Sequence, residues 1–576
     1  MGYFPHLSQL IKKTFMKYIK LISLIALFSI LIISCGKKSN LGKLIPKNAA
    51  MIVDINTKSA LSKLSWDEIK KTYWYNELMN DSSISATSKT FMGDPAKTGI
   101  DLNSDIIFFL VQPTDSGHVF LEGNLKDSKA FADFLKSMHP NATISKDGDL
   151  NIFKAADAVI GWNNDRFVFV AGTDHMREHE RRMMHDSTMQ TIPLANPESL
   201  VTACKNIFSL SSDNSLYDNE RFAKLSKEEG DVHFWLNINE LTKGSMGAMK
   251  GMMGMIKLDK FLEDNISTTT ANFQDGKITA THKQYFGKEL SDILKSGEGN
   301  MNADMVKRLP QNAAAVFAFH FTPASMLEIL KLTGLDGVIN LFMAQQGVSL
   351  DDVVKATKGD IVFSMSDISM SNDTFNLKGL NDSMTNYHHK PNAIFLFAVA
   401  INDKEAFNKL LNIGKTMGKD MGPKNTFSKS DDKYYAISNS QDAINKYFSG
   451  TTSTPDFLSK INDHPMGAFV DLQMILKALQ PEFSKDSTDQ FYYNRNISMW
   501  SNIYSTGGEY KDGGIVTNAE INLVDKSTNS LVQLNKYIDD NAKVMVEKKK
   551  RQRTKWNADT TVVKMDTTNT LHKLRK

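Results

Sequence analysis

The densest run of metal-competent side chains in this sequence is His175-Met176-Arg177-Glu178-His179-Glu180-Arg181-Arg182-Met183-Met184-His185. On a helix His175 and His179 share one face at i, i+4, with methionine sulfur close by, a donor set suited to copper. His179-Glu180 opens like a zinc-protease helix, but Met183 stands where the second histidine belongs, so that chemistry is excluded. The many Arg and Glu residues give a plainer alternative: a solvated helix laced with i, i+4 ion pairs, holding no metal at His175, His179 or His185.

A second candidate is the Met and Gly run that holds Met246, Met249, Met252, Met253 and Met255. Methionine is flexible and polarisable, so such a run makes an adaptable apolar surface for a lipid, a peptide or Cu(I). The alternative is a core helix continuing through Leu258, Phe261 and Leu262, although Gly244, Gly247, Gly251 and Gly254 each weaken a helix by about 1 kcal/mol against alanine. Of the two cysteines, Cys204 has no intramolecular partner left if Cys35 is modified, and it reads as a small buried apolar residue. No nucleophile elbow, phosphate-binding loop, dinucleotide fingerprint or EF-hand loop is present. No catalytic residue and no cofactor is therefore assigned. A non-catalytic binding or scaffold role comes first, with a soft-metal handling protein or an enzyme of unrecognised type as alternatives.

The chain of 576 residues, 41% hydrophobic and 23% charged, is too long for one core and long enough for several. Its formal charge of +3 is unevenly spread. Residues 536–576 hold twelve Lys or Arg against five acids, and residues 1–34 hold four lysines and no acid, so the body between is mildly acidic. No domain-wide positive field exists to hold a nucleic acid. The run Lys548 to Arg553 suits anionic headgroups or a solvated, partly disordered tail.

At the N-terminus the apolar run Leu21 to Ile33 follows Lys17 and Lys20 and ends in Leu31-Ile32-Ile33-Ser34-Cys35. A membrane span needs about 20 apolar residues, more than this run has, so it reads as a secretion signal. Its end resembles the bacterial lipobox, which implies lipidation of the Cys35 thiol and cleavage before it. Gly36 in the second mature position, with Lys37-Lys38 after it, resembles the sorting pattern for the outer membrane with the fold facing the periplasm.

An internal repeat sets the expected architecture. Leu44-Ile45-Pro46-Lys47-Asn48-Ala49-Ala50 returns as Arg308-Leu309-Pro310-Gln311-Asn312-Ala313-Ala314. Asp127-Ser128-Lys129-Ala130-Phe131 returns as Asp403-Lys404-Glu405-Ala406-Phe407, Gly230-Asp231-Val232-His233-Phe234-Trp235-Leu236 is echoed by Gly467 to Leu472, and Asp275-Gly276-Lys277-Ile278-Thr279 by Asp512 to Thr517, all in order. Met51–Ile55, Ile106–Val111, Val119–Gly123 and Phe167–Gly172 have strand chemistry. Asp127 and Asp403 each cap a helix whose apolar residues recur at i, i+3, i+4, and Thr322-Pro323 opens another over Met326, Ile329 and Leu330. The expectation is an α+β fold: two tandem copies of a domain with a largely antiparallel sheet backed by helices on one face. Its parts are a signal peptide (1–34), a tether (35–43), a first repeat domain (44–296), a linker (297–304), a second repeat domain (305–535) and a basic, partly disordered tail (536–576).

The lipobox, the Leu-Ile-Pro-Lys-Asn-Ala opening and the Gly-Asp-Val-x-x-Trp-Leu strand resemble the Bacteroidota lipoproteins of the domain of unknown function family 4836. That resemblance implies a cell address and no site residue; the expected partners are the membrane, through the N-terminal lipid, and an unknown envelope protein or small apolar ligand. If the Met run is an open surface, replacing Met249, Met252 and Met253 together by Ser should cost less than about 1 kcal/mol in a urea titration, whereas three truncated core side chains would cost several times that.

Overall fold

The computed structural model describes residues 42–548 apart from 82–85, 113–116, 139–142, 156–157, 174–196, 244–256, 377–384, 418–425, 451–454 and 485–486. The first ten strands are β1 (Ala49–Ile55), β2 (Ile106–Val111), β3 (His118–Asn124), β4 (Ile144–Asp147), β5 (Leu150–Lys154), β6 (Ala158–Trp162), β7 (Arg166–Gly172), β8 (Val232–Asn237), β9 (Ile266–Gln274) and β10 (Lys277–Tyr285). The others are β11 (Ala313–His320), β12 (Thr357–Asn376), β13 (Thr385–Ile401), β14 (Phe427–Ser430), β15 (Tyr434–Ser438), β16 (Met466–Asp471), β17 (Trp500–Lys511) and β18 (Gly514–Leu523).

Every pairing is antiparallel, and the pairings join all of these strands into one sheet. From one edge the hydrogen-bonded order is β4-β5-β6-β7-β3-β2-β1-β8-β9-β10. β10 then pairs with β18, and the sheet continues β18-β17-β16-β11-β12-β13-β15-β14. The α+β class and the antiparallel sheet agree with the sequence reading.

Helices cover both faces of the first half of the sheet, not one. Successive residues of a strand point to opposite faces, and Ile106-Ile107 and Phe167-Val168 divide between different cores. Ile107 and Val168 join Ile52, Phe109 and Trp235 beneath the helix Pro197–Phe208. Ile106 packs with Leu61, Leu64 and Ile69, and Phe167 with Phe131 and Leu135 of the helix Ser128–Met138. The cause is visible in β2, whose Ile-Ile-Phe-Phe-Leu-Val is an unbroken apolar run that needs cover on each side. Cys204 lies in the first of these cores, buried, its sulfur against Gly161, and burial pushes its thiol up to about 12.

The expected caps form at both repeats. Asp127 Oδ1 accepts from the backbone N–H of Lys129 at 2.9 Å and of Ala130 at 3.0 Å, and Asp403 Oδ1 accepts from Ala406 at 2.9 Å. Thr322 is different: the helix Pro323–Thr333 has Pro at its start but no side-chain cap, because the Thr322 hydroxyl donates to the Gly297 carbonyl instead. Met326, expected on the buried face of that helix, is 45% exposed.

Two boundaries move. Residues 297–304, expected as a linker, are built into the second half, where Met301 is buried and its N–H donates to the His464 carbonyl. Residues 536–548, grouped with the tail, continue a helix that starts at residue 530. Leu531 and Val532 pack against the core of Leu61, Ile69 and Tyr75, and Tyr537 meets Trp500 edge-on. Asp539, buried, accepts from the Trp74 N–H in the first turn of the helix Tyr73–Asn80 at 3.0 Å, a cap supplied from the far end of the chain. Asp539→Ala should therefore destabilise the protein by about 1–2 kcal/mol in urea denaturation, the range for a lost helix cap; an unchanged midpoint would refute the docking.

Candidate functional site

Register alone gathers an ionisable cluster. In β1, Asp54 faces the same way as Ile52, opposite His233 of β8 and opposite Ile107 of β2, which in turn stands opposite Glu122 of β3. Directly opposed residues of neighbouring strands share a face. Three polar side chains thus enter a surface otherwise made of Ile52, Phe109, Phe120 and Trp235. Asp54 is 4%, Glu122 5% and His233 6% exposed.

His233 Nδ1 lies 3.3 Å from Asp54 Oδ2, and its Nε2 lies 2.9 Å from the Glu228 carbonyl oxygen. A carbonyl only accepts, so Nε2 carries a hydrogen. Nδ1 then either accepts from a protonated Asp54 or, as imidazolium, donates to its carboxylate; in both forms one proton serves the pair. Burial raises the Asp54 pKa, with His233 pulling the other way. Burial pulls the His233 value down, but the hydrogen bond and charge of Asp54 outweigh it and the value rises. Asp105, close behind, is pushed up to about 7 by burial and by the charge of Asp54. Burial also pushes Glu122 up to about 7, against the pull of Arg166. Among the described residues, Asp54 Oδ1 and Glu122 Oε2 have no hydrogen-bond partner.

Around this cluster the charges are paired. Asp231, fully buried, accepts from Lys63 Nζ at 2.6 Å and from the Ser59 hydroxyl at 2.6 Å. Glu228 accepts from Lys283 Nζ and the Thr270 hydroxyl, each at 2.5 Å. The crevice over Asp54 and His233, walled by Phe222, Leu225, Ser226 and Trp235, is too narrow for a water molecule to enter. The arrangement can take up and release protons; it has no room to hold a substrate.

A second feature is apolar. The helix Leu335–Ala344 follows the helix Pro323–Thr333 after Gly334, whose φ of 72° reverses the chain in the left-handed region open to glycine. It has no buried residue. Val338 is 44%, Leu341 68% and Phe342 49% exposed, as is Met326 of the preceding helix at 45%.

None of these residues was singled out by sequence reasoning. The available signal was an acid or histidine inside each of three apolar runs, Met51-Ile52-Val53-Asp54-Ile55, Val119-Phe120-Leu121-Glu122 and Val232-His233-Phe234-Trp235. The sites that were singled out, Cys35, His175, His179 and His185, and Met246, Met249, Met252, Met253 and Met255, lie outside the described residues. Among the described residues no three His, Cys, Asp or Glu side chains gather as a metal site, and no helix is long and apolar enough to cross a membrane.

The unfolded chain titrates Glu122 in the ordinary carboxylate range, and the fold keeps it protonated up to about 7. Its contribution to stability is therefore full at low pH and is lost as pH rises through that value. Glu122→Gln should raise stability by about 2–3 kcal/mol near pH 8.5 and leave it unchanged near pH 4, read by urea denaturation. An equal effect at both pH values would refute the burial of an ionisable carboxyl here.

The sequence model of the family described as domain of unknown function (DUF4836) matches residues 42–380. Among solved structures, crystal forms IV and I of TP0453 are similar at TM-scores of 0.23 and 0.22, with 9% and 10% identity, over 45% and 44% of this chain and 86% and 81% of that one. No curated protein matches.

Proposed function

We propose that this chain, which belongs to the DUF4836 family, is a Bacteroidota lipoprotein anchored in the outer membrane through Cys35, with a periplasm-facing body that binds or scaffolds and does not catalyse. The observation that carries the non-catalytic reading is the contrast between its two unusual surfaces. The ionisable groups Asp54, His233 and Glu122 are sealed under apolar side chains, whereas Leu341 and Phe342 stand open to contact. Catalysis needs acids and bases within hydrogen-bond reach of a substrate, and these are walled off.

The body is proposed to be two copies of one domain, the first spanning β1 to β10 and the second β11 to β18. What supports this is the sheet order: β7-β3-β2-β1-β8-β9-β10 on one side and β15-β13-β12-β11-β16-β17-β18 on the other. The register refines the match, since Trp235 stands opposite Ile52 and Phe469 opposite Val316, so those two aromatic residues correspond.

The anchor rests on the Lys17, Lys20 and Leu21–Cys35 pattern. Cys35→Ser should leave an uncleaved, unlipidated precursor that no longer fractionates with the outer membrane, seen as a slower band on a gel and loss of metabolic labelling with palmitate. Normal maturation of that variant would overturn the proposal.

A further inference from the structure

We propose that the helix Leu335–Ala344 is a lipid-docking surface that lies on the bilayer to which the chain is tethered; this deepens the anchored reading just given and rests on it for proximity. Its sequence, Leu-Asp-Gly-Val-Ile-Asn-Leu-Phe-Met-Ala, offers only Asp336 and Asn340 as polar side chains. A helix apolar nearly all round belongs in a core or in hydrocarbon. This one is in neither, since it buries no residue and leaves Leu341 68% exposed. Of the hydrogen-bonding side chains that a protein partner's rim would meet, the helix itself supplies only Asp336 and Asn340. An acyl-chain boundary asks for none.

Chain length supplies the second argument. From Cys35 to Gly42, the first described residue, the tether is at most about 25 Å long when fully extended. A lipid on Cys35 therefore holds the body against the bilayer, where an exposed apolar helix meets a surface at high effective concentration. No excess of cations adjoins it: Lys331, Lys355 and Lys257, whose N–H donates to the Thr333 carbonyl, stand against Glu328, Asp336, Asp351 and Asp352. Binding should accordingly be hydrophobic, independent of anionic lipid and insensitive to salt.

The test uses the mature chain with Cys35→Ser and Leu341→Cys, carrying an environment-sensitive fluorophore at position 341. Cys204 is buried and its thiol pushed up to about 12, so the label goes to the exposed site. With vesicles of phosphatidylcholine alone, the label should shift to the blue and the protein should float with the vesicles, equally at low and high salt. In the Cys35→Ser chain without the labelling substitution, Leu341→Asp with Phe342→Asp should lower that partitioning by about a hundredfold while leaving the thermal midpoint unchanged, because both side chains are exposed. No spectral shift would overturn the proposal, as would flotation that survives the double substitution. A concentration-dependent shift without vesicles, with dimers by light scattering, would assign the patch to a second copy and also overturn it. The anchor is judged separately, by maturation of Cys35→Ser in cells; its failure there would leave the vesicle result standing.

Discussion

The pairing of β10 with β18 is the constraint on which the rest of the structure depends. Strand residues 277–284 pair with 515–522 in unbroken antiparallel register, with Thr281 opposite Asn518 and its hydroxyl 2.9 Å from Asn518 Oδ1. Each strand would otherwise be an edge with a row of open N–H and C=O groups, a template for pairing with other chains. Joining them removes two edges together. Charge reinforces the seam: Glu520 takes Lys277 at 2.9 Å and Lys460 at 2.8 Å. Burial alone would raise its carboxyl, but hydrogen bonds from Lys460, Asn522 and Lys277 hold it at about 2. The helix that follows β18 returns to the first half of the chain, where Asp539 accepts from the Trp74 N–H.

The same sheet accounts for the ionisable cluster. Asp54 and His233 are distant in sequence and become neighbours only because β8 returns beside β1. An isolated buried carboxylate is costly, and proteins meet that cost by pairing or protonation. Both occur here. Asp54 shares a proton with His233, while Asp105 and Glu122 hold theirs to about neutral pH. Asp231 takes the other route and pairs with Lys63 Nζ at 2.6 Å. The cluster therefore belongs to the energetics of the fold, and its consequence is a stability that falls as pH rises through neutrality.

Local chemistry was legible in the sequence where a residue acts on its near neighbours. The strands Ile106–Val111 and Phe167–Gly172, the caps at Asp127 and Asp403 and the proline-led helix at Pro323 all follow from patterns a few residues long. Long-range pairing was not legible. The Asp54 and His233 pair, the reach of residues 530–548 to Trp74 and the burial of Met301 beside His464 each depend on which strands become neighbours. The expectation of helices on one face failed because alternation was sought, while β2 and β7 are apolar on both sides, a pattern that asks for cover on both. The segment of residues 297–304 misled for a related reason. Gly297 and Gly299 look like linker residues, yet a Cβ on either would collide with Ser325 or His320, so they are glycine to permit close packing.

Among the described residues, the chain pairs several of its buried charges and gathers exposed apolar side chains on one helix. Asp231, Glu228 and Glu520 each find a cation, yet the helix Leu335–Ala344 leaves Leu341 and Phe342 uncovered although the helices Pro323–Thr333 and Leu350–Ala356 lie beside it. Burying two such side chains would stabilise the fold by about 3–6 kcal/mol, comparable with a large part of the net stability of an ordinary domain. Other elements of this chain do collapse onto their neighbours: the helix Gln441–Phe448 buries Ile444 and Tyr447, and the helix Pro197–Phe208 buries Leu200, Val201, Cys204 and Ile207. The turn at Gly334 separates the apolar helix from the one before it, and a residue with a Cβ would be strained at its φ of 72°. Val338, Leu341 and Phe342 are thus apolar side chains exposed together on one helix, the mark of an interaction surface.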